Sequence, residues 1–163
     1  MKKRITDDYL AIIDGEPSLR QDLWFYIQVG KIVGQVNSIE MYINGVIASY
    51  YSRQDIDSQE RLKRDIVQPM TLDTKIGLVK KIAINLRLGF SRQNKSDLYR
   101  WKDIRNVVAH GVPLHVSRPD DPIELVLVYN NDFYDVGVLT EEFYERQNRL
   151  TSYLTSIQES IED

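Results

Sequence analysis

The chain has 163 residues, 42% hydrophobic and 28% charged, proportions that suit a folded domain with its own core and exclude a disordered chain. It has no cysteine, which excludes disulfide scaffolds, thiol catalysis, Fe–S ligation and cysteine zinc sites. The net charge of −3 hides an asymmetry: residues 75–105 carry nine bases and two acids, and residues 119–163 carry two bases and eleven acids. A basic middle suits an anion-binding surface, or it is neutralised by the acidic segment across the fold. No uncharged run is longer than Met41–Ser52, which is too short to span a membrane. Asp7 and Asp8 stand where a signal peptide needs an apolar core. A single cytoplasmic domain over residues 1–163 is expected.

Residues 6–14 read as a short helix with Thr6 as cap, ended by Gly15 and Pro17. A long helix follows over 18–52, with an apolar stripe at Val29, Val33, Val36, Ile43, Ile47 and Tyr50. Gly30, Gly34, Ser38, Gly45 and Ser49 form a second face that would let another helix approach closely, and a break near Gly30–Gly34 is compatible with the pattern. Residues 53–70 are charged and irregular, with room for a short helix. Thr71 caps the next helix, whose stripe is Leu72, Ile76, Val79, Ala83 and Leu86 and which Gly89 ends. Residues 91–96 read as a polar loop. Ser96 then caps a helix that runs to about Ala109, with Leu98, Trp101, Ile104 and Val108 facing inward. Beyond Gly111 and Pro113 the period falls to two, which predicts strands over 114–118, 123–129 and 133–139 with turns at 119–122 and 130–132. Thr140 caps a last helix with a stripe at Phe143, Gln147, Leu150, Leu154, Ile157 and Ile161 and a solvated acidic end. The expected class is mainly α: about four main helices with a small antiparallel hairpin or meander, residues 114–139, before the C-terminal helix.

His110 and His115 are the only histidines, and no three-ligand cluster, P-loop or nucleophile elbow is present. The segment that carries chemistry is Arg105-Asn106-Val107-Val108-Ala109-His110-Gly111. Arg105 can hold a phosphate through two parallel hydrogen bonds, and His110 can pass a proton either way. Five residues along a helix rotate the chain by roughly 140°. The two side chains therefore meet around a shared ligand only if His110 sits where the helix ends. Arg plus His suffices, without a cofactor, to drive attack of an RNA 2′-hydroxyl on its own phosphate. The same two residues equally suit carbonyl capping and pairing with an acid.

The heptapeptide resembles the Arg-x4–6-His signature of the HEPN superfamily, in its Arg-Asn-x-x-Ala-His-Gly form at the end of a helix. These are small α-helical domains common in bacterial toxin–antitoxin, antiphage and CRISPR-associated systems. The resemblance implies a HEPN-like bundle with the β segment as an addition. It also implies a metal-independent endoribonuclease that leaves a 2′,3′-cyclic phosphate from a composite site between two identical chains, with an antitoxin or other protein as a further partner. In it Arg105 would bind the scissile phosphate, His110 would be general acid and base, and Asn106 would orient phosphate or His. Some family toxins carry a Tyr two residues beyond the His that a partner nucleotidyltransferase modifies, where this chain has Val112. Other HEPN-like domains only bind RNA, nucleotide or protein.

Glu40 falls within the apolar stripe of the long helix, where a carboxylate needs a partner: Arg105 or His110, Lys75, or solvent at the stripe's edge. Lys80, Lys81, Arg100 and Lys102 are the basic candidates for RNA contact, and Tyr99 beside them is a candidate stacking platform. Trp101 reads as core. Tyr50 and Tyr51 fit either role.

Overall fold

The computed structural model describes residues 17–52, 55–118 and 121–162. The helix expected over residues 6–14 lies outside them. Helix α1, Pro17–Tyr51, is the central strut, against which the other long helices pack. It buries Phe25, Ile32, Val36, Ile39, Ile43 and Ile47. The buried line passes through Ile32 rather than Val33, which is 38% exposed. α1 runs unbroken through Gly30 and Gly34, because Ile32 and Val36 hold that stretch on the core. Nothing lies within 4 Å of where a Cβ would stand at Gly30, Gly34 or Gly45. The close helix approach expected on that face is therefore not made at these glycines among the described residues; only Ser49 of that face meets the last helix, accepting from Gln158 Nε2 at 3.3 Å.

A short helix α2, Ile56–Leu62, starts at Asp55, whose carboxylate accepts from Ser58 N at 2.8 Å. It passes into a π-helical turn, Lys63–Val67, closed by Gln68 N on Lys63 O at 2.8 Å. Helix α3, Leu72–Asn85, has the expected Thr71 cap. It ends sooner than Gly89. Arg87 takes the left-handed conformation (φ 60°), with Leu88 N on Ala83 O and Arg87 N on Ile84 O, a Schellman ending.

Helix α4, Arg92–His110, is capped by Ser91, which accepts from Asn94 N at 3.0 Å, and not by Ser96. The polar run after Ser91 contains no Gly or Pro, so nothing delays helix nucleation. The inward stripe Leu98, Trp101, Ile104 and Val108 is buried as expected.

Strands β1 (Val112–Arg118), β2 (Asp121–Tyr129) and β3 (Asp132–Tyr134) form an antiparallel sheet in that order, with Val112 opposite Val128 and Leu127 opposite Tyr134. The third strand stops five residues short of the expected end. Helix α5, Val136–Glu162, begins there, with Asp135 accepting from Val138 N at 3.0 Å. Thr140 is not its cap; the hydroxyl bonds back to Val136 O at 2.6 Å. Residues 136–139 alternate like a strand, but Val136, Leu139, Thr140 and Phe143 are buried together at helical spacing. Among the described residues the architecture is thus five α-helices with one small three-stranded sheet, and no helix is long and apolar enough to cross a membrane.

Opposite charges join α4 to α5. Asp97, 1% exposed, is held by Arg146 Nη1 at 2.7 Å, Arg149 Nε at 2.9 Å and Gln93 Nε2 at 2.9 Å. Arg100 and Glu142 form a two-point pair at 2.8 and 2.6 Å. The hydrogen bond to Arg100 draws the Glu142 carboxyl below its ordinary range. Among the described residues only the Arg100–Glu142 pair sets the basic middle against the acidic C-terminal segment; the Asp97 pairs join an acid of the first to the two bases of the second.

Candidate active site

The site is built at the C-terminal end of α4. His110 is the last helical residue, and the extended backbone of Gly111 turns the chain directly into β1. Both residues are helical, so the angular offset between Arg105 and His110 remains, and the length of the arginine side chain bridges it. Arg105 Nη1 lies 3.3 Å from His110 Nε2 and 3.4 Å from Asn106 Oδ1. A guanidinium only donates, so the contact with His110 holds while Nε2 is the unprotonated acceptor, the state of a base. Both bonds are long for N–H donors, and a better acceptor would displace them.

Arg105 is half-buried, and no carboxylate pairs with it among the described residues. Its Nε and Nη2 make no hydrogen bond to those residues, so one side of the fork is free. On the same helix Arg100 is bound by Glu142, and Lys102 by Asp73 at 2.8 Å. The hydrogen bond to Asp73 raises the Lys102 pKa above the ordinary lysine value.

Depressions flank the guanidinium on two sides. One is apolar and lies between Val33, Val36 and Asn37 of α1 and Val108 and Ala109 of α4. The other, of about 330 Å³, is polar and is lined by Glu40, Gln68, Asp73, Lys102, Arg105 and Asn106. His110 is exposed, and its ring stacks on Tyr129 with centroids 6.5 Å apart and planes 28° apart.

Glu40 does not pair with Arg105 or His110. Its Oε1 accepts from Lys75 Nζ at 2.7 Å, and Lys75 also donates to Gln68 O at 3.3 Å. Lys75 is wholly buried, and a buried ammonium must be met by acceptors. Glu40 stays next to the site only as part of the polar wall. Lys80 and Lys81 are exposed on α3. Arg100 is turned to α5, so its fork is occupied. Tyr99 is 38% exposed beside Lys102. His115 is on β1, 3.8 Å from Asp22, apart from the motif. No group of three His, Asp or Glu side chains able to hold a metal ion gathers among the described residues.

Tyr129 is the residue that sequence reasoning missed. The hairpin register carries the signal: with Val112 opposite Val128, Tyr129 falls beside the end of α4.

Gly111 is required by space, not by its dihedrals. A Cβ there would collide with the carbonyl oxygen of Val107 and stand 3.2 Å from Leu127 Cβ. Gly111→Ala is expected to destabilise the protein by about 1–3 kcal/mol and to shift His110 off Arg105. Thermal melting checks the first effect; an unchanged melting temperature would show that the turn can yield.

In comparisons with known proteins no family model matches the chain, and no curated protein or solved structure matches it.

Proposed function

We propose that the protein is a metal-independent endoribonuclease of HEPN type that works as a homodimer. One observation carries the reading: an arginine that has no carboxylate partner and half its fork free among the described residues lies 3.3 Å from Nε2 of an exposed histidine. Arg105 would take the scissile phosphate on Nε and Nη2 and neutralise the charge that grows on it. His110 Nε2 would accept the proton of the 2′-hydroxyl as its oxygen attacks phosphorus. The bond to the 5′-oxygen breaks, and that oxygen takes a proton as it leaves. Asn106 would hold the guanidinium in place. A cyclic phosphate and a free 5′-hydroxyl result.

One histidine cannot accept and donate in the same step, so a second copy supplies the second imidazole. A two-fold pair uses the same face on both chains. The face beside Arg105 suits this role: Leu23, Tyr26, Ile27, Val33 and Met41 of α1 are all exposed, and Val33 and Asn37 line the apolar depression at the guanidinium. Val33→Glu is expected to give a folded monomer in light scattering and to lose cleavage with it. A dimer that survives the change would remove this face as the interface.

On the resemblance, such an enzyme would belong to a toxin–antitoxin or antiphage pair with a protein that restrains it, and it would act in the cytoplasm. The deciding experiment is incubation of the purified protein with RNA in EDTA and analysis of the ends. Fragments ending in 2′,3′-cyclic phosphate are expected. RNA binding without cleavage would leave a non-catalytic RNA-binding module.

A further inference from the structure

Tyr99 lies two turns before the motif on α4, and its ring is flanked by two ammonium groups. Lys95 Nζ is 5.9 Å and Lys102 Nζ 5.3 Å from the ring centroid. The two lysines are not equivalent. Lys102 is anchored by Asp73 at 2.8 Å and is 18% exposed. Lys95 is exposed and has no carboxylate partner among the described residues. Of the two ammonium groups over the ring, Lys102 is therefore fixed and Lys95 is movable.

The positions form a line. Residues 95, 99, 102, 106 and 110 are spaced by four, three, four and four, which puts them on one face of the helix. The line runs about 22 Å from Lys95 to His110. Lys102 belongs both to the ring's surroundings and to the polar depression shared with Arg105 and Asn106. Lys102 thus links Tyr99 to the depression that the guanidinium borders.

We infer that this face of α4 is a track for a single-stranded stretch of RNA, in which an unpaired base stacks on Tyr99 and displaces Lys95 while the neighbouring phosphate sits at Arg105. A base stacked on an aromatic ring outweighs an exposed lysine–aromatic contact, so the exchange is favourable. The displaced Lys95 ammonium is then free to meet a backbone phosphate. Duplex RNA buries its base faces and cannot use the platform. The inference rests on the proposed cleavage site for the position of the phosphate, and it adds Tyr99 as the side chain that holds an unpaired base and Lys95 as the group that base displaces.

The test is fluorescence anisotropy with a labelled, uridine-only short RNA, in the His110→Ala background so that the probe is not consumed. Tyr99→Ala is expected to weaken binding about tenfold, and Tyr99→Phe to bind as the parent does. Lys95→Gln should lower the salt dependence by about one phosphate contact. A fully paired duplex should bind more weakly and show no response to Tyr99→Ala. Equal affinity of Tyr99→Ala and its parent, or no binding by the parent, would overturn the track. Cleavage by the unmodified protein is read in parallel. Cleavage with Tyr99-independent binding overturns the track and leaves the nuclease; Tyr99-dependent binding without cleavage overturns the nuclease and supports the track.

Discussion

His110→Ala is expected to reduce RNA cleavage in EDTA by about 10²–10⁴-fold, the usual contribution of a positioned general base. The loss should not come from unfolding. His110 is exposed, among the described residues its side chain meets Arg105 and Tyr129, and Tyr129 keeps its own packing on the core when the imidazole is removed. The melting temperature of the variant is expected to match that of the parent. Arg105→Ala should lose activity by a similar factor, because the charge that grows on the phosphate then meets no fixed cation. Arg105→Lys should not restore it. An ammonium is a point charge and lacks the planar fork that meets two phosphate oxygens. Asn106→Ala should be milder, since its contact with Arg105 is 3.4 Å and orients rather than reacts. Formation of the cyclic phosphate product, measured for each variant, separates these effects. Full activity in His110→Ala would remove the histidine from the chemistry and with it the nuclease reading.

Local signals predicted local structure well. Thr71 and the stripe from Leu72 to Leu86 placed α3, because cap and periodicity agree there. The motif helix ends where Gly111 required it to end, and Trp101 is core because its spacing with Leu98, Ile104 and Val108 left no other place. Two boundaries were misread for a shared reason. Ser91 and Ser96 are both capable caps, and so are Asp135 and Thr140. A cap's strength does not choose between candidates; packing of the following turn does. Asp97 and Val136 are buried, so each helix begins early enough to deliver them.

The partner of Glu40 was illegible for a different reason. Lys75, Arg105 and His110 all offered positive charge, and 35 residues of chain separate Glu40 from Lys75. Only the packing of α3 against α1 decides that Lys75 is buried and must take the carboxylate. Once it does, Arg105 is left without a carboxylate partner among the described residues. That feature of the candidate site thus follows from an ion pair elsewhere. Tyr129 was hidden likewise, because its place beside His110 depends on strand register, which sequence alone did not specify.

Asp97 is the second place where a single change should have a large effect. Its carboxylate is nearly inaccessible and ties α4 to α5 through Arg146 and Arg149, with Gln93 as a third donor. Burial alone would push its pKa up. The hydrogen bonds from Arg149, Gln93 and Arg146 outweigh burial and hold it below the ordinary 3.8. Asp97→Asn keeps the shape, removes the charge and turns an amide donor toward guanidinium donors. It is expected to cost about 3 kcal/mol near neutral pH. For a domain of this size that lowers the melting temperature by about 6–12 °C. The sign of the pH dependence follows from the depressed pKa. The carboxylate's contribution is complete above the unfolded-state value and is lost as pH falls through the folded one. Glu142, held below its ordinary 4.5 by Arg100, acts in the same direction. The parent should therefore keep its stability at neutral pH and lose it below about pH 4.5. Asp97→Asn should start lower and decline less, so that the two melting curves converge in acid. A constant gap between them down to pH 3 would mean that the Asp97 charge is not what joins the helices.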